Sequence, residues 1–269
     1  MMGRRIIMGG GGDGSFYSDL VTLGLTSNLQ LVLDAGARAS YPSAGKWLDL
    51  AGSGYDFFRG ADGDTDGDEP THNGTPGGLS SSEYFSFDGG DFFTYDSANE
   101  TWMNNMSKDS GQFSIIIWVY HNAFSGNESY VNTLGSGSPG VNFGKDASSG
   151  IQCQLQGSSQ QLDDLPKTSA WNMIGWTARD GETDGTFGWL GNADQSGYNQ
   201  QSASDTFTLN WTGSSDANET LRIGASNGSA VNPLAASARV AGVMIWAGGF
   251  ITKANMDSIW ARQKTRFGL

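Results

Sequence analysis

With a single cysteine, six prolines and two histidines, this 269-residue chain has little material for several common kinds of chemistry. Cys153 has no second cysteine to pair with, so no internal disulfide forms, which suits folding in a reducing compartment. It lies in the run Ile151-Gln152-Cys153-Gln154-Leu155 and reads as a small buried strand residue. His72 and His121 alone give a histidine-based triad almost nothing to work with. Basic residues are scarce too: 15 Lys and Arg stand against 28 Asp and Glu, a formal net charge of −13. Binding a phosphate backbone needs clustered cations, so nucleic acid is excluded as a partner. No apolar run approaches the roughly 20 residues of a membrane-spanning helix. Ile6-Ile7-Met8, after Arg4 and Arg5, is too short for the apolar core of a signal peptide.

What is abundant is glycine, at 40 residues, and aromatics: 14 Phe, 9 Trp and 8 Tyr. Turn formers between short aromatic and β-branched runs predict many strands joined by polar turns. Leu29–Leu33 and Phe113–Tyr120 are the clearest. The second is apolar on both faces and predicts a central strand covered on both sides. Tyr84–Phe87 and Phe92–Tyr95 flank Asp88-Gly89-Gly90-Asp91 and read as a hairpin. Further strands are expected at 129–134, 141–144, 151–156, 171–178, 185–190, 206–211, 220–225 and 239–247. Alternating helices are absent, which argues against a parallel α/β fold. One helix is expected near the C-terminus. Thr252 would cap it, Ile251 and Met256 would staple it, and Met256, Ile259, Trp260 and Gln263 share a face. It should pack on the sandwich rim. Residues 1–27, with the run Gly9–Gly12, read as a flexible glycine-rich arm ahead of one domain at 28–269. The arm either docks on a neighbouring subunit or folds back on its own domain.

Several segments together carry a resemblance. Leu33-Asp34-Ala35-Gly36, Ser40-Tyr41-Pro42 and Lys46-Trp47-Leu48-Asp49-Leu50-Ala51-Gly52-Ser53-Gly54 open it. Phe87-Asp88-Gly89-Gly90-Asp91 stands in the middle, and Arg266-Phe267-Gly268-Leu269 closes it. In this order they resemble the concanavalin A-like lectin/glucanase superfamily, and more narrowly laminin-G-like domains of tailed-phage structural proteins. The resemblance covers residues 28–269. It implies an all-β fold, a two-sheet antiparallel jelly-roll sandwich with one short C-terminal helix. It also implies a virion structural protein made in the host cytoplasm, of capsid-decoration or head-fibre type, present as a homo-oligomer or in many copies. Residues 1–27 would anchor it to other virion proteins. Ala51-Gly52-Ser53-Gly54 and an acidic insertion after Gly60 depart from that pattern and bear on rim-loop function.

Three kinds of site are candidates. Asp62, Asp64, Asp66, Asp68 and Glu69 alternate with small residues in a glycine-rich loop, as hard-cation ligands do, so calcium is the candidate cofactor. Asn73 stands where an EF-hand loop has its bidentate Glu, and no helices flank the segment, so the reading set against calcium is a solvated acidic loop. By the resemblance, Asp88 and Asp91 are secondary candidates. Trp102, Trp189, Tyr198 and Trp211 lie in polar surroundings and are the candidate sugar-stacking residues for host-surface glycans, as in a tail-fibre receptor-binding module. A glycoside hydrolase needs paired carboxylates. The nearest match, Glu182-Thr183-Asp184, sits between glycines in a loop, so the chain is not expected to be an enzyme and no catalytic residue is assigned.

Overall fold

A computed structural model describes residues 14–42, 45–64, 67–135, 139–147, 150–155, 158–162, 165–182, 185–199, 212–227 and 230–269. The chain begins with helix α1 (Phe16–Leu23), then β1 (Leu29–Asp34), β2 (Lys46–Trp47), β3 (Phe57–Arg59), β4 (Thr71–Asn73), β5 (Tyr84–Ser86) and β6 (Phe93–Tyr95). Helix α2 (Thr101–Asn105) leads into β7 (Gln112–His121), β8 (Glu128–Asn132), β9 (Val141–Asp146), β10 (Gly150–Leu155) and β11 (Ser158–Leu162). The long β12 (Ala170–Arg179) precedes β13 (Phe187–Gly191), β14 (Ser196–Asn199), β15 (Arg222–Ile223) and β16 (Arg239–Ala247). Helix α3 (Lys253–Gln263) and a 3-10 turn (Lys264–Phe267) end the described chain.

The strands form two antiparallel sheets. One runs β14-β13-β12-β7-β16-β5-β4, with β1 also paired to β16; the other runs β11-β10-β9-β8-β15-β6-β3-β2. This is the two-sheet sandwich expected from the sequence, closed by the expected C-terminal helix. The inward residues of β7 (Phe113, Ile115, Ile117, Val119) fill the space between the sheets with Trp176, Phe143, Tyr130, Trp47 and Phe85. Burying each such side chain is worth about 1.5–3 kcal/mol.

A second core lies on the outer face of the first sheet and explains why Phe113–Tyr120 is apolar on both sides. Ile116 and Trp118 of β7, with Met244 and Trp246 of β16, are covered by Phe16 and Leu20 of α1 and by Met256, Ile259 and Trp260 of α3. Trp118 stacks on Phe267 at 4.0 Å, and its indole N–H donates to Gln263 at 2.7 Å. That bond accounts for a polar residue on the buried face of α3. Thr252 caps α3 by accepting from the Asn255 N–H, as expected. The helix lies on a sheet face, not on the rim, because its apolar stripe has the aromatic outer face of β7 to cover.

One expectation gives way, and one alternative is met. Of the two readings of the arm, residues 14–27 take the second and fold back on the domain: Ser15 caps α1, Gly24 (φ +69°) ends it, and Phe16 and Leu20 are fully buried. The rest of the expected arm, 1–13, lies outside the described residues, as does the strand expected at 206–211. The expected hairpin at 84–95 is a crossover: β5 belongs to one sheet and β6 to the other. Phe85 and Phe93 face each other across the core at 4.8 Å, so the 88–91 turn carries the chain between layers. In that turn Asp91 accepts from the Asp88 N–H at 2.8 Å.

The opening and closing segments of the resemblance meet in one structural clasp. Arg266 donates two hydrogen bonds to Asp34, at 3.0 and 2.8 Å, with both side chains nearly sealed from water. Asp34 also accepts from the N–H of Phe16, at the start of α1, and from the Gly36 N–H. Gly36 is required by space: a Cβ there would stand 2.3 Å from the Arg266 guanidinium. Asp49 accepts the backbone N–H groups of Val32, Ala51 and Ser53 and so pins the 46–54 segment to β1.

Candidate functional site

At one end of the sandwich, β7 begins, β1 begins and β16 ends. The groove between these strand ends and α2 has a volume of about 760 Å³. Glu100 enters α2 in an extended conformation, which sets Trp102 on its first turn and in the groove wall. Tyr55, from the loop before β3, stands beside it with ring centroids 5.7 Å apart, and Tyr95 backs Tyr55 edge-on at 6.1 Å. Both Tyr55 and Trp102 are partly exposed. The groove lining also carries the amides of Asn28, Gln30, Asn105 and Gln112. Gln30 is held by its Nε2, which donates to the Ala247 carbonyl at 3.2 Å. Asn28 sits in the left-handed region (φ +58°), and its side chain packs where Gly249 lacks a Cβ.

Three charged side chains line the groove; Asp109 is exposed, and the other two, Glu100 and Lys108, are paired. Glu100 accepts from the Tyr95 hydroxyl at 2.8 Å. Burial, then that bond, pushes the Tyr95 phenol above its ordinary range; burial and the nearby Glu100 push Tyr55 up as well. Lys108 pairs with Asp216. Two aromatic rings and several amides in one groove suit a ligand with apolar ring faces and many hydroxyls.

The sequence candidates are distributed unevenly around this groove. Trp102 lines it. Trp189 is fully buried under α3, its indole N–H donating to Asp257 at 2.9 Å, and offers no ring face to a sugar. It faces α3 because the outer side of β13 belongs to the second core. Tyr198 falls in β14, but its side chain is outside the described residues, as are Trp211 and Asp66. Asp62 and Asp64 are exposed, with the Asp64 N–H donating to Asp62, while the Asp68 carbonyl accepts from Phe92 N–H at the start of β6. Among the described residues no three His, Cys, Asp or Glu side chains gather as metal ligands do. Tyr55 and the amides were missed: an isolated Tyr and scattered Asn and Gln give no sequence periodicity, and only the convergence of four chain segments makes them a site.

A second polar cluster is sealed. Glu128 Oε2 lies 3.2 Å from His121 Nδ1, His121 Nε2 lies 3.1 Å from the Tyr130 hydroxyl, and none of the three reaches solvent. Lys145, buried beside them, donates to the carbonyls of Gly126 and Asp146, and burial lowers its pKa. No substrate reaches this cluster, so it ties β7, β8 and β9 together. Cys153 is likewise buried, and burial pushes its thiol up, away from reactive thiolate.

No protein-family model matches the chain, and no curated protein matches it by sequence. Solved structures match by shape. Domain 4 of AbnA, a GH43 extracellular arabinanase from Geobacillus stearothermophilus solved with arabinotriose, superposes with TM-score 0.52 at 10% identity. That match covers 86% of this chain and 97% of the domain. Trypanosoma rangeli sialidase in complex with sialic acid gives 0.55 at 12% identity, over 89% of this chain and 34% of the sialidase. The binding domain of botulinum neurotoxin DC, with rat synaptotagmin II, gives 0.53 at 10% identity, over 88% of this chain and 52% of that one. The chain thus spans about a third of the sialidases it matches. These likenesses are of fold alone: they share the β-sandwich architecture.

Proposed function

We propose that this chain is a non-catalytic glycan-binding module whose rim groove holds an uncharged oligosaccharide. The observation that carries the reading is the pairing of Tyr55 and Trp102 in one groove with the amides of Asn28, Gln30, Asn105 and Gln112. Aromatic faces pack on the apolar faces of pyranose or furanose rings, and amides serve hydroxyls as both donor and acceptor. The inner carboxyl, Glu100, is engaged by Tyr95 rather than left to a reaction. The likeness to an arabinotriose-bound domain supports the same reading at the level of architecture. Isothermal titration of neutral arabino-, xylo- and gluco-oligosaccharides tests it. Binding that falls at least tenfold in Tyr55→Ala and Trp102→Ala is the expected result. No binding at millimolar concentration, or unchanged binding in both variants, overturns it. A reducing-sugar assay on the same oligosaccharides should stay silent.

The virion setting rests on the motif series, and its physical form would be adhesion and display by many copies. Because α1 is part of the domain, the anchoring test is deletion of residues 2–13 rather than 1–27. Particles that keep such a truncated chain at full occupancy refute the anchor.

A further inference from the structure

The described half-buried arginines mostly meet an oxygen. Arg59 donates to the Pro70 carbonyl, Arg179 pairs with Glu182, Arg222 with Glu219 and Arg266 with Asp34. Arg239 is the exception. Its guanidinium lies between two tyrosine rings, 4.8 Å from the centroid of Tyr84 and 4.5 Å from that of Tyr120, and among the described residues no carboxylate or carbonyl takes its N–H groups. In a chain with 28 acidic residues against 15 basic ones, an arginine left without an acid is notable.

The position is set by sheet register. Arg239 of β16 is the cross-strand partner of Tyr120 of β7, and Tyr120 is the partner of Trp171 of β12. Ser86 of β5 is the partner of Arg239 on the other side, and Tyr84 stands two residues away on the same face. Trp171 meets both tyrosines edge-on, at 6.0 and 5.7 Å, and so backs the two rings that hold the guanidinium. Stacking strips water from the faces of the cation, yet it leaves the in-plane N–H donors unspent. Tyr84 and Tyr120 are partly exposed, and their hydroxyls have no hydrogen-bond partner among the described residues. A guanidinium fork held in place by two stacked rings suits a planar oxyanion, which it can grip by two parallel charge-assisted bonds.

We propose that this patch on the outer face of the first sheet is a second binding site, separate from the rim groove, for a sugar bearing a carboxylate. The choice of a sugar rests on the glycan-binding reading above; the demand for an anion rests on Arg239 alone. The two sites then differ in charge preference: amides and the acids Glu100 and Asp109 line the groove, whereas a cation with no acid partner among the described residues centres this patch.

Titration of the full chain with oligogalacturonate and with its methyl ester, and with sialyllactose and lactose, tests the proposal. At least one acidic probe is expected to bind, with tenfold or greater loss on removal of its charge and in Arg239→Met. Arg239→Lys should retain part of the affinity, Tyr84→Phe combined with Tyr120→Phe should weaken it, and Trp102→Ala should leave it unchanged. Equal binding of acid and ester, unchanged binding in Arg239→Met, or no binding of any acidic probe at millimolar concentration overturns the proposal. Loss of neutral-sugar binding with acidic binding intact would refute the groove alone, so the two readings fail separately.

Discussion

Removing Arg266 should cost this protein a large part of its stability, and the cost should depend on what stands at position 36. The Asp34 side chain is fully buried and that of Arg266 nearly so, and the pair shares two hydrogen bonds. Arg266→Ala leaves a buried carboxylate with only the N–H groups of Phe16 and Gly36. Breaking a buried pair in this way costs about 3–5 kcal/mol. Against a total stability of roughly 5–15 kcal/mol this is severe, and Tm should fall by about 10 °C for a chain of this size. Arg266→Met keeps apolar contact with Phe16, whose ring lies 4.5 Å from the guanidinium, but should fare only slightly better, because the uncompensated charge dominates. Gly36→Ala places a methyl group 2.3 Å from Arg266 Nη2 and 3.2 Å from Leu79 Cα. In the native background that overpacking should cost about 2–3 kcal/mol; in the Arg266→Ala background most of the crowding is gone, and the cost should drop below about 1 kcal/mol. Urea denaturation of the four proteins gives the coupling. Effects additive within about 0.5 kcal/mol would refute the clasp as the reason for glycine at this position.

Other perturbations follow from the same contacts. Asp91 and Asp49 are raised by burial to about 7 and about 6, above the ordinary carboxylate value near 3.8. The unfolded chain therefore releases these protons first, so their contribution is present below about pH 4 and is lost as pH rises through 6 to 7. Asp91→Asn, which keeps an acceptor for the Asp88 N–H, should flatten the decline of Tm between pH 4 and 8; an unchanged pH profile would refute the assignment. Gly242→Ala sets a methyl group 2.3 Å from the Phe16 ring and 2.5 Å from the Leu33 carbonyl, and should destabilise by at least about 2 kcal/mol in chemical denaturation. Glu128→Ala strips the carboxylate from buried His121 and Lys145 and should cost about 3 kcal/mol or more, measured the same way. Deleting residues 2–13 should leave Tm within a few degrees, whereas deleting 2–24 removes α1 and should unfold or aggregate the protein, since Phe16 and Leu20 lie at the bottom of the second core.

How far the sequence could be read follows from where each signal is local. The two-sided apolar run Phe113–Tyr120 announced a strand buried on both faces, and the Thr252 cap and Met256, Ile259, Trp260 stripe announced α3. Helix α1 escaped because it is only eight residues long and follows a glycine run, although Ser15 and Gly24 bracket it as cap and stop. The 88–91 turn has the composition of a hairpin, and nothing local distinguishes a turn that joins partners from one that changes sheets. The acidic pair Asp34 and Asp49 and the terminal Arg266 were legible as a motif, but their work as a clasp appears only when residues 232 positions apart meet. Of the aromatics chosen from polar context, Trp102 reached the groove and Trp189 the core, because neighbours in sequence report poorly on what α3 will cover.

The placement of β16 bears on how the protein comes into being. This strand is the common partner of β1, β5 and β7, so two of its neighbours have been synthesised more than 150 residues before it. Until Arg239–Ala247 leaves the ribosome, β1 has no partner in its sheet, and Phe16, Val32 and Trp118 lack the Met244 and Trp246 side chains they share an interior with. Folding must therefore wait for this late segment, and the exposed strands ahead of it are the stretch a chaperone has most reason to shield.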